Sequence, residues 1–339
     1  MLTYLIILLD DSSVSYCNHT HSSPQAKEGR GTLMPLEVLR KGIVWAMKEN
    51  VNIQFVYPSF PLPEEYRTVI ETIDHSKIGP IGCGEKLDVV VVEDLHEIWT
   101  GSVADHIPTS YVWHATLAKL ERHTNGILTT LRNVARLNVM TSGTEAWGQE
   151  EFDRYKAVLE TLADGIVNLY NQRQSPQLNL LTDRLTHNGM NNCGAGDSSL
   201  TLAPDGCLYV CPAFYNECLK DRLAQGQADG MERGLPLHSD VEIPNRQLFQ
   251  LDHAPLCRCC DAYQCRRCIW MNCKQTLDVN TPSHQQCVAA HIERNASRRL
   301  LSMLREQRLA DGIREIKEID YLDPLNKFEQ WKLEKLWDK

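Results

Sequence analysis

Short runs of consecutive apolar residues alternate in the first half of the chain with longer stretches whose apolar residues recur at helical spacing. Residues 2–9, 53–57 and 87–92 contain little polar alternation, which is typical of strands buried on both faces of a sheet. The stretch 36–49 follows Pro35 and has the apolar spacing of a helix. The pattern therefore predicts strands and helices in alternation.

The alternation continues to about residue 187. The pattern predicts three more strands and three more helices, the strands over 109–114, 135–140 and 178–181 and the helices near 63–75, 116–133 and 149–171. Strands joined through helices lie parallel in one sheet, but periodicity leaves open whether the sheet stays open or closes into a full or partial barrel. Polar residues follow several strands, including Asp183 and Arg184 after the last, at the sheet edge where such folds build sites.

The character of the sequence changes at about residue 188. Eleven of the thirteen cysteines lie between there and residue 287, where few segments are periodic, so the order of this part is expected to depend on bound metal. Helical patterns return over 288–310, which contains a basic run beginning at Arg294, and over 325–337. The sequence predicts three consecutive domains, over 1–187, 188–290 and 291–339.

Composition narrows the class of protein. A chain of 339 residues with 42% apolar residues can bury a core without disulfides, and its net charge of −9 argues against a duplex nucleic-acid binder. The apolar residues 1–9 are too few to span a bilayer and lack a basic segment before them. We therefore expect a cytoplasmic protein with no membrane or nucleic-acid partner, in which clustered cysteines bind metal.

The first group of cysteines spans a predicted hairpin. Cys193 precedes Gly206 by twelve intervening residues, and Cys211 follows Gly206 after four. The Pro204-Asp205-Gly206 turn between two strand-like segments would bring Cys193 and Cys211 towards each other.

The second group contains two close pairs, Cys257-X2-Cys260 and Cys265-X2-Cys268, with Cys287 beyond a gap of eighteen residues. Pairs at this spacing suit a four-ligand zinc site. Eleven cysteines could supply two four-thiolate sites, and such sites also suit iron–sulfur clusters. Spacing alone leaves zinc and iron–sulfur open.

Together the two groups resemble the SPASM domain that follows the barrel in radical-SAM enzymes that mature peptides and proteins. The family pattern is C-X9-15-G-X4-C, a gap, C-X2-C-X5-C-X3-C, a gap and C; the first half matches in full and the second is two residues shorter. The resemblance implies a partial (β/α) barrel of the radical-SAM type over 1–187, a SPASM-like iron–sulfur domain over 188–290 and C-terminal helices over 291–339.

The resemblance also implies two auxiliary 4Fe–4S clusters. One would be held by Cys257, Cys260, Cys265 and Cys287, and Cys193, Cys211 and Cys268 would contribute to the other. The second set lacks a fourth thiolate: Cys207 is the nearest candidate, and otherwise one iron would be open to a substrate. Because the spacing departs from the pattern, Cys259 could replace Cys260, and Cys273 could replace Cys268.

The radical-SAM motif itself is incomplete. The family carries C-X3-C-X2-C after the first strand, where three thiolates leave one iron free for S-adenosylmethionine. Cys17 stands at the first motif position, but His21 and Pro24 stand at the next two. The sequence therefore predicts no standard cluster here and puts S-adenosylmethionine in doubt. Cys17, His19 and His21 could instead bind zinc or iron, or could be polar loop residues left after loss of a cluster.

Among SPASM proteins the chain is most similar to the maturase group associated with CXXX-repeat ribosomal peptides. The residues that carry this resemblance lie over 8–17, 35–50, 260–270 and 280–298. It implies a ribosomally made precursor peptide as partner, and often a second maturation protein. One hypothesis is a maturation factor whose clusters bind precursor thiolates; the second is a non-catalytic scaffold that pairs with an active radical-SAM enzyme. A zinc-binding interaction module is a third.

Overall fold

The computed structural model describes residues 1–18, 31–100, 110–217, 234–237, 242–313 and 316. Contacts between residues divide the chain into two compact units, each built from two stretches. The first unit consists of residues 1–113 and 194–253, and the second of residues 114–193 and 254–339. These units are defined by contacts and are discontinuous in sequence, whereas the sequence predicts three domains that follow one another along the chain. The predicted domains stay a prediction.

The first unit is built on a mainly parallel sheet. The strands of the chain are β1 (Tyr4–Leu8), β2 (Asn52–Val56), β3 (His75–Pro80), β4 (Val89–Val92), β5 (Ser110–Ala115), β6 (Arg136–Thr141), β7 (Ser199–Leu202), β8 (Cys207–Tyr209) and β9 (Leu235–Pro236). In the first unit the hydrogen-bonded order is β5-β4-β3-β2-β1-β7-β8-β9. The neighbours from β5 to β7 pair in parallel, and β8 pairs antiparallel with β7 and β9. Strand β6 and the last two residues of β5 belong to the second unit.

Strand β1 lies at the centre of the first unit. Leu5 pairs with Ile53 on one side and with Leu200 on the other, and Leu5 and Ile7 are fully buried. Ile6, between them, points to the opposite face and is also buried, which explains why the apolar run has no polar alternation. Helix α1 (Leu36–Glu49) forms over the residues that the sequence predicts. A Cβ atom at Gly42 would lie 2.3 Å from Leu202 Cδ2, so glycine permits the close approach of this helix to the sheet.

The remaining helices differ in part from the sequence prediction. They are α2 (Glu64–Ile70), α3 (His96–Thr100), α4 (Leu117–Arg122), α5 (Thr124–Thr130), α6 (Gln149–Asn171), α7 (Asp183–Thr186), α8 (Ile269–Thr276) and α9 (His284–Glu306); residues 212–217 are also helical. The single helix predicted over 116–133 is wrong, because it is divided into α4 and α5. The break lies at His123, whose backbone has a φ of −107° and a ψ of 17° and so leaves the helical conformation. Among the described helices, none is long and apolar enough to cross a membrane.

Two strand predictions are also corrected. The strand predicted over 178–181 is wrong: Leu178 forms only an isolated parallel bridge with Leu137, and the chain then turns into α7. Strand β3 was not predicted, because its sequence HSKIGP ends in Gly79 and Pro80, residues that normally weaken a strand. Strand β3 forms nevertheless because it pairs in parallel with both β2 and β4.

The second unit contains a pair of long helices. Helices α6 and α9 pack against each other, and Tyr155 in α6 donates a hydrogen bond to Glu293 in α9. Helix α9 begins at residue 284 rather than at the predicted 288, because the side chain of Ser283 accepts a hydrogen bond from the Gln286 backbone and caps the helix. The earlier start places Cys287 in its first turn. The helix predicted over 325–337 lies outside the described residues.

Candidate metal centre

The loop from residue 254 to residue 268 in the second unit carries three of the four cysteines predicted for the first cluster. Successive tight turns shape it: the backbone N–H of Cys257 donates to the carbonyl of Ala254, that of Cys260 to Cys257, and that of Cys265 to Ala262. Cys257 is buried, whereas Cys260 and Cys265 are half-buried. The fourth cysteine, Cys287, comes from the first turn of α9 and is also half-buried.

The Cys260 thiol lies close enough to Cys257, Cys265 and Cys287 to affect their ionisation. Burial raises the pKa of Cys257 to about 11 and that of Cys287 to about 12, and Cys260 contributes to both shifts. Burial raises the pKa of Cys265 well above its ordinary value. A hydrogen bond from a backbone N–H opposes this shift, and the charges of Cys260, Glu293 and Cys257 add to it. Three of the predicted ligands, Cys257, Cys265 and Cys287, therefore have raised pKa values, and the Cys260 thiol contributes to each of these shifts. A bound cation would reverse these shifts, because thiolates are the form that binds metal.

The donor set of this four-thiol site (Cys257, Cys260, Cys265 and Cys287) suits an iron–sulfur cluster. All twelve cysteines of the described ranges are free of disulfide bonds. Within the same ranges, no group of three or more His, Cys, Asp or Glu side chains is placed to hold a single metal ion. In a 4Fe–4S cluster each thiolate binds a different iron, so its ligand sulfurs need not meet at one point. The ligand assignment stays a prediction.

Hydrogen-bond donors approach two of the sulfurs. The backbone N–H of Ala262 donates to Cys260 Sγ at 3.4 Å, and His291 Nε2 lies 3.6 Å from the same sulfur. The backbone N–H of Arg267 donates to Cys265 and lowers the pKa of its thiol. At Cys265 this donor favours the thiolate, the form that an iron–sulfur cluster requires.

A buried ion network holds the cysteine loop. The Asp261 carboxylate accepts from Arg294 Nη1 at 3.0 Å and lies 3.5 Å from Arg184 Nη2, and Arg184 Nε donates to the Asp261 carbonyl at 2.9 Å. The side chains of Arg184, Asp261 and Arg294 are 0%, 1% and 5% exposed. The network therefore joins α7, the residue after Cys260 and α9. The basic run of the helix predicted over 288–310 therefore begins with a buried residue, since Arg294 belongs to this network.

A second buried network lies on the α6–α9 contact. Tyr155 Oη donates to one Glu293 oxygen at 2.8 Å, and Gln264 Nε2 lies 3.4 Å from the other. Burial raises the pKa of Glu293 to about 7; the two hydrogen bonds lower it, and Asp183 raises it. The folded protein therefore holds a proton on Glu293 at a pH where the unfolded chain has released it.

We expect Glu293→Gln to flatten the dependence of stability on pH. Because folding raises this pKa, binding of the proton stabilises the folded protein. This stabilisation is fully present below the ordinary pKa of 4.5 and is lost as the pH rises through about 7. A pKa shift of this size corresponds to a change of about 3 kcal/mol in the free energy of unfolding. Free energies of unfolding of wild type and variant between pH 5 and pH 8 check this, and parallel curves for the two proteins would contradict it.

The cysteines predicted for the second cluster are divided between the units. In the second unit, Cys193 is exposed and its N–H donates to the Arg266 carbonyl at 2.9 Å, and half-buried Cys268 precedes α8. In the first unit, Cys207 and Cys211 are half-buried. The predicted hairpin is confirmed, because β7 and β8 pair antiparallel around a turn in which Gly206 has a φ of 81°. The second ligand set stays a prediction.

The remaining predicted ligands are more scattered. Cys259 is exposed beside the four-thiol site, and Cys273 is half-buried in α8. Cys17 is half-buried in the loop after β1. That loop is held in part by Ser12, whose N–H donates to Asp10 Oδ1 at 2.7 Å, and by Tyr215, which donates to Asp11. His19 and His21 lie outside the described residues, so a site formed with Cys17 stays a prediction.

No family model and no curated protein matches the sequence. Several solved structures are similar to this chain in fold. Histidine-tagged anSMEcpe with bound AdoMet has a TM-score of 0.57 and 12% identity, over 92% of this chain and 98% of that one. Native anSMEcpe with AdoMet and Kp18Cys peptide has a TM-score of 0.55 and 12% identity, over 89% and 99% of the two chains. Native anSMEcpe with AdoMet and Cp18Cys peptide has a TM-score of 0.52 and 12% identity, over 93% of this chain and 100% of that one.

These structures share one fold with this chain over nearly its whole length. anSMEcpe has the radical-SAM fold with a SPASM domain. The predicted fold class, a partial (β/α) barrel followed by a cysteine-rich part, is therefore confirmed. At 12% identity the likeness concerns the fold, and chemistry has to be argued from the residues of this chain.

Proposed function

We propose that this chain, with its radical-SAM and SPASM fold, is a maturation factor for a ribosomally synthesised, cysteine-containing peptide. The observation that carries the proposal is the four-thiol site, where a cysteine of α9 joins three cysteines of one loop. Solved structures of anSMEcpe with Cys peptides support a peptide as the partner. The finer resemblance to the CXXX-repeat maturase group suggests that its precursor contains repeated cysteines.

The proposal assigns two auxiliary 4Fe–4S clusters. Cys257, Cys260, Cys265 and Cys287 hold the first, and Cys193, Cys211 and Cys268 hold the second, with Cys207 or a thiolate of the precursor as its fourth ligand. An iron bound to a cysteine lowers the pKa of that thiol and so supplies a reactive thiolate at neutral pH. The role of the protein residues is to bind and orient the precursor.

The loop after β1 favours a second candidate function, that of a non-catalytic partner of an active radical-SAM maturase. Proline cannot bind iron through its side chain, and Pro24 occupies a motif position. In this form of the proposal the chain needs no S-adenosylmethionine and presents the precursor to a second maturation protein.

We expect Cys17→Ala to leave the iron content unchanged, because this cysteine is not accompanied by the two others that a standard cluster needs. Iron, sulfide and zinc are measured on anaerobically purified wild type and variant. Loss of about four iron atoms per chain from the variant would show a cluster after β1. Zinc without iron or sulfide in the wild type would support an interaction module and overturn the iron–sulfur assignment.

The peptide function is tested with two synthetic peptides, one with a single cysteine and one with serine in its place. We expect the cysteine peptide to bind more tightly and to alter the visible absorption of the protein. Equal binding of both peptides would contradict recognition through the thiol. Mass spectrometry after incubation, with and without S-adenosylmethionine, separates a maturation enzyme from a scaffold, since only the enzyme changes the peptide mass.

A further inference from the structure

Helix α9 brings an imidazole ring to a sulfur of the cysteine loop. His291 lies one turn after Cys287 on the same face of this helix and is 5% exposed. Its Nε2 atom lies 3.6 Å from Cys260 Sγ. This distance suits a hydrogen bond, because sulfur has a larger radius than oxygen and accepts an N–H group from further away. The ring therefore contacts one of the predicted ligand sulfurs directly.

Two contacts hold α9 against the cysteine loop on either side of His291. Gln264 Nε2 donates to the carbonyl of Ala290 at 2.7 Å, and Arg294 Nη1 donates to Asp261 Oδ1 at 3.0 Å. Both loop residues are buried, so these bonds lie in the interior of the second unit. The backbone that carries the imidazole is thus fixed relative to the loop that carries the sulfur.

A second donor reaches the same sulfur. The backbone N–H of Ala262 donates to Cys260 Sγ at 3.4 Å. The imidazole of His291 donates in the tautomer that carries its proton on Nε2. The backbone donor is part of a turn and stays when a side chain is replaced, whereas the imidazole donor is lost with its side chain. Because the histidine is buried, water would not readily take its place.

Hydrogen bonds to the ligand sulfurs are among the determinants of the reduction potential of an iron–sulfur cluster. Uptake of an electron makes the cluster and its thiolates more negative, and a donor binds a more negative acceptor more strongly. A donor to sulfur therefore stabilises the reduced form more than the oxidised form. The difference is larger at a buried site, where the local dielectric is low.

We propose that His291 is a positioning residue that donates a hydrogen bond to Cys260 Sγ and so raises the reduction potential of the cluster in the four-thiol site. The inference rests on the proposed iron–sulfur function of these cysteines. It adds to that function a residue outside the ligand set, on α9, through which the protein adjusts the potential of its cluster.

The test compares His291→Leu with His291→Gln and with the control His284→Leu. Leucine fills part of the volume of the ring and cannot donate, whereas glutamine can place an amide N–H where Nε2 lies. His284 is the exposed first residue of the same helix, so its replacement removes an imidazole that water surrounds. Iron content, sulfide content and the midpoint potential are measured on anaerobically purified full-length protein.

We expect His291→Leu to keep its iron and to shift the reduction equilibrium about fivefold towards the oxidised form, which is about 41 mV for one electron. A shift of this size is in the range of one hydrogen bond. His291→Gln and His284→Leu should each shift the equilibrium less than about twofold. The potential that belongs to the four-thiol site is identified as the one that is lost in Cys265→Ala.

A second measurement covers the case in which His291→Leu loses its iron. Wild type with isotopically labelled histidine nitrogen is reduced, and the coupling of that nitrogen to the cluster is measured by pulsed electron paramagnetic resonance. A ring that donates to sulfur should give a weak coupling that disappears in His291→Gln. A strong coupling would show that the histidine binds iron itself, and this result, like the absence of any coupling, would overturn the inference.

The outcomes separate this inference from the proposed function. Wild type without iron and sulfide would overturn both. A cluster whose potential is unchanged in His291→Leu would overturn the inference alone, and so would an equal shift in His284→Leu or in His291→Gln.

Discussion

Replacing Cys265 by alanine is expected to remove about four iron atoms and a matching amount of sulfide from each chain. Cys265 lies in the four-thiol site, where burial and the neighbouring thiols Cys257 and Cys260 raise its pKa. The alternatives suggested by the sequence concern Cys260 and Cys268, so no substitute ligand is predicted for Cys265. Metal and sulfide analysis after anaerobic purification and desalting provides the measurement.

Cys259→Ala is the matched control for this prediction. Cys259 belongs to the same loop but its side chain is exposed, so its loss should leave iron and sulfide unchanged. Full iron in Cys265→Ala would refute the ligand set. A loss in Cys259→Ala together with full iron in Cys260→Ala would show instead that Cys259 takes the place of Cys260, the exchange that the irregular spacing permits.

The sequence predicts the local course of the cysteine loop better than the contacts around it. A CXXC spacing is a local property, and Cys257, Cys260 and Cys265 lie in one loop of successive turns, while their role as ligands stays a prediction. Helices α1 and α6 were predicted at their observed bounds, because each has a long amphipathic pattern and a clear start. Local patterns thus account for the turns of the cysteine loop and for the longest helices of the first two-thirds of the chain.

The ion network that holds the cysteine loop could not be predicted from the sequence, since its contacts join residues far apart along the chain. Arg184 meets Asp261 across 77 residues, and nothing near Arg184 distinguishes it from any polar residue after a predicted strand. Arg294 and Arg298 lie four residues apart on one face of α9, yet Arg294 is buried and Arg298 is exposed, because Arg294 is the one that lies at the level of Asp261 in the cysteine loop. The one available signal was Asp261 itself, an acidic residue directly after a cysteine pair.

Replacing Asp261 by asparagine is expected to lower the free energy of unfolding by about 3–5 kcal/mol. Asparagine keeps the shape of the side chain but leaves Arg184 and Arg294 as two buried cations without this carboxylate. Denaturant unfolding of the intact protein under anaerobic conditions measures the loss. Glu121→Gln is the control: its partner Arg154 is 43% exposed, so the loss of this ion pair should cost at most about 1 kcal/mol.

A third variant separates stability from positioning. Apolar residues of similar size often replace a buried ion network without loss of stability, so Arg184→Met, Asp261→Leu and Arg294→Met combined should regain most of the stability lost in Asp261→Asn. The same variant should retain less iron than wild type, because Arg184 no longer fixes the backbone carbonyl beside Cys260. Full iron retention in the combined variant would mean that the network only stabilises the fold. Iron loss at near-normal stability would mean that Asp261 and its two arginines position the cysteine loop for its metal.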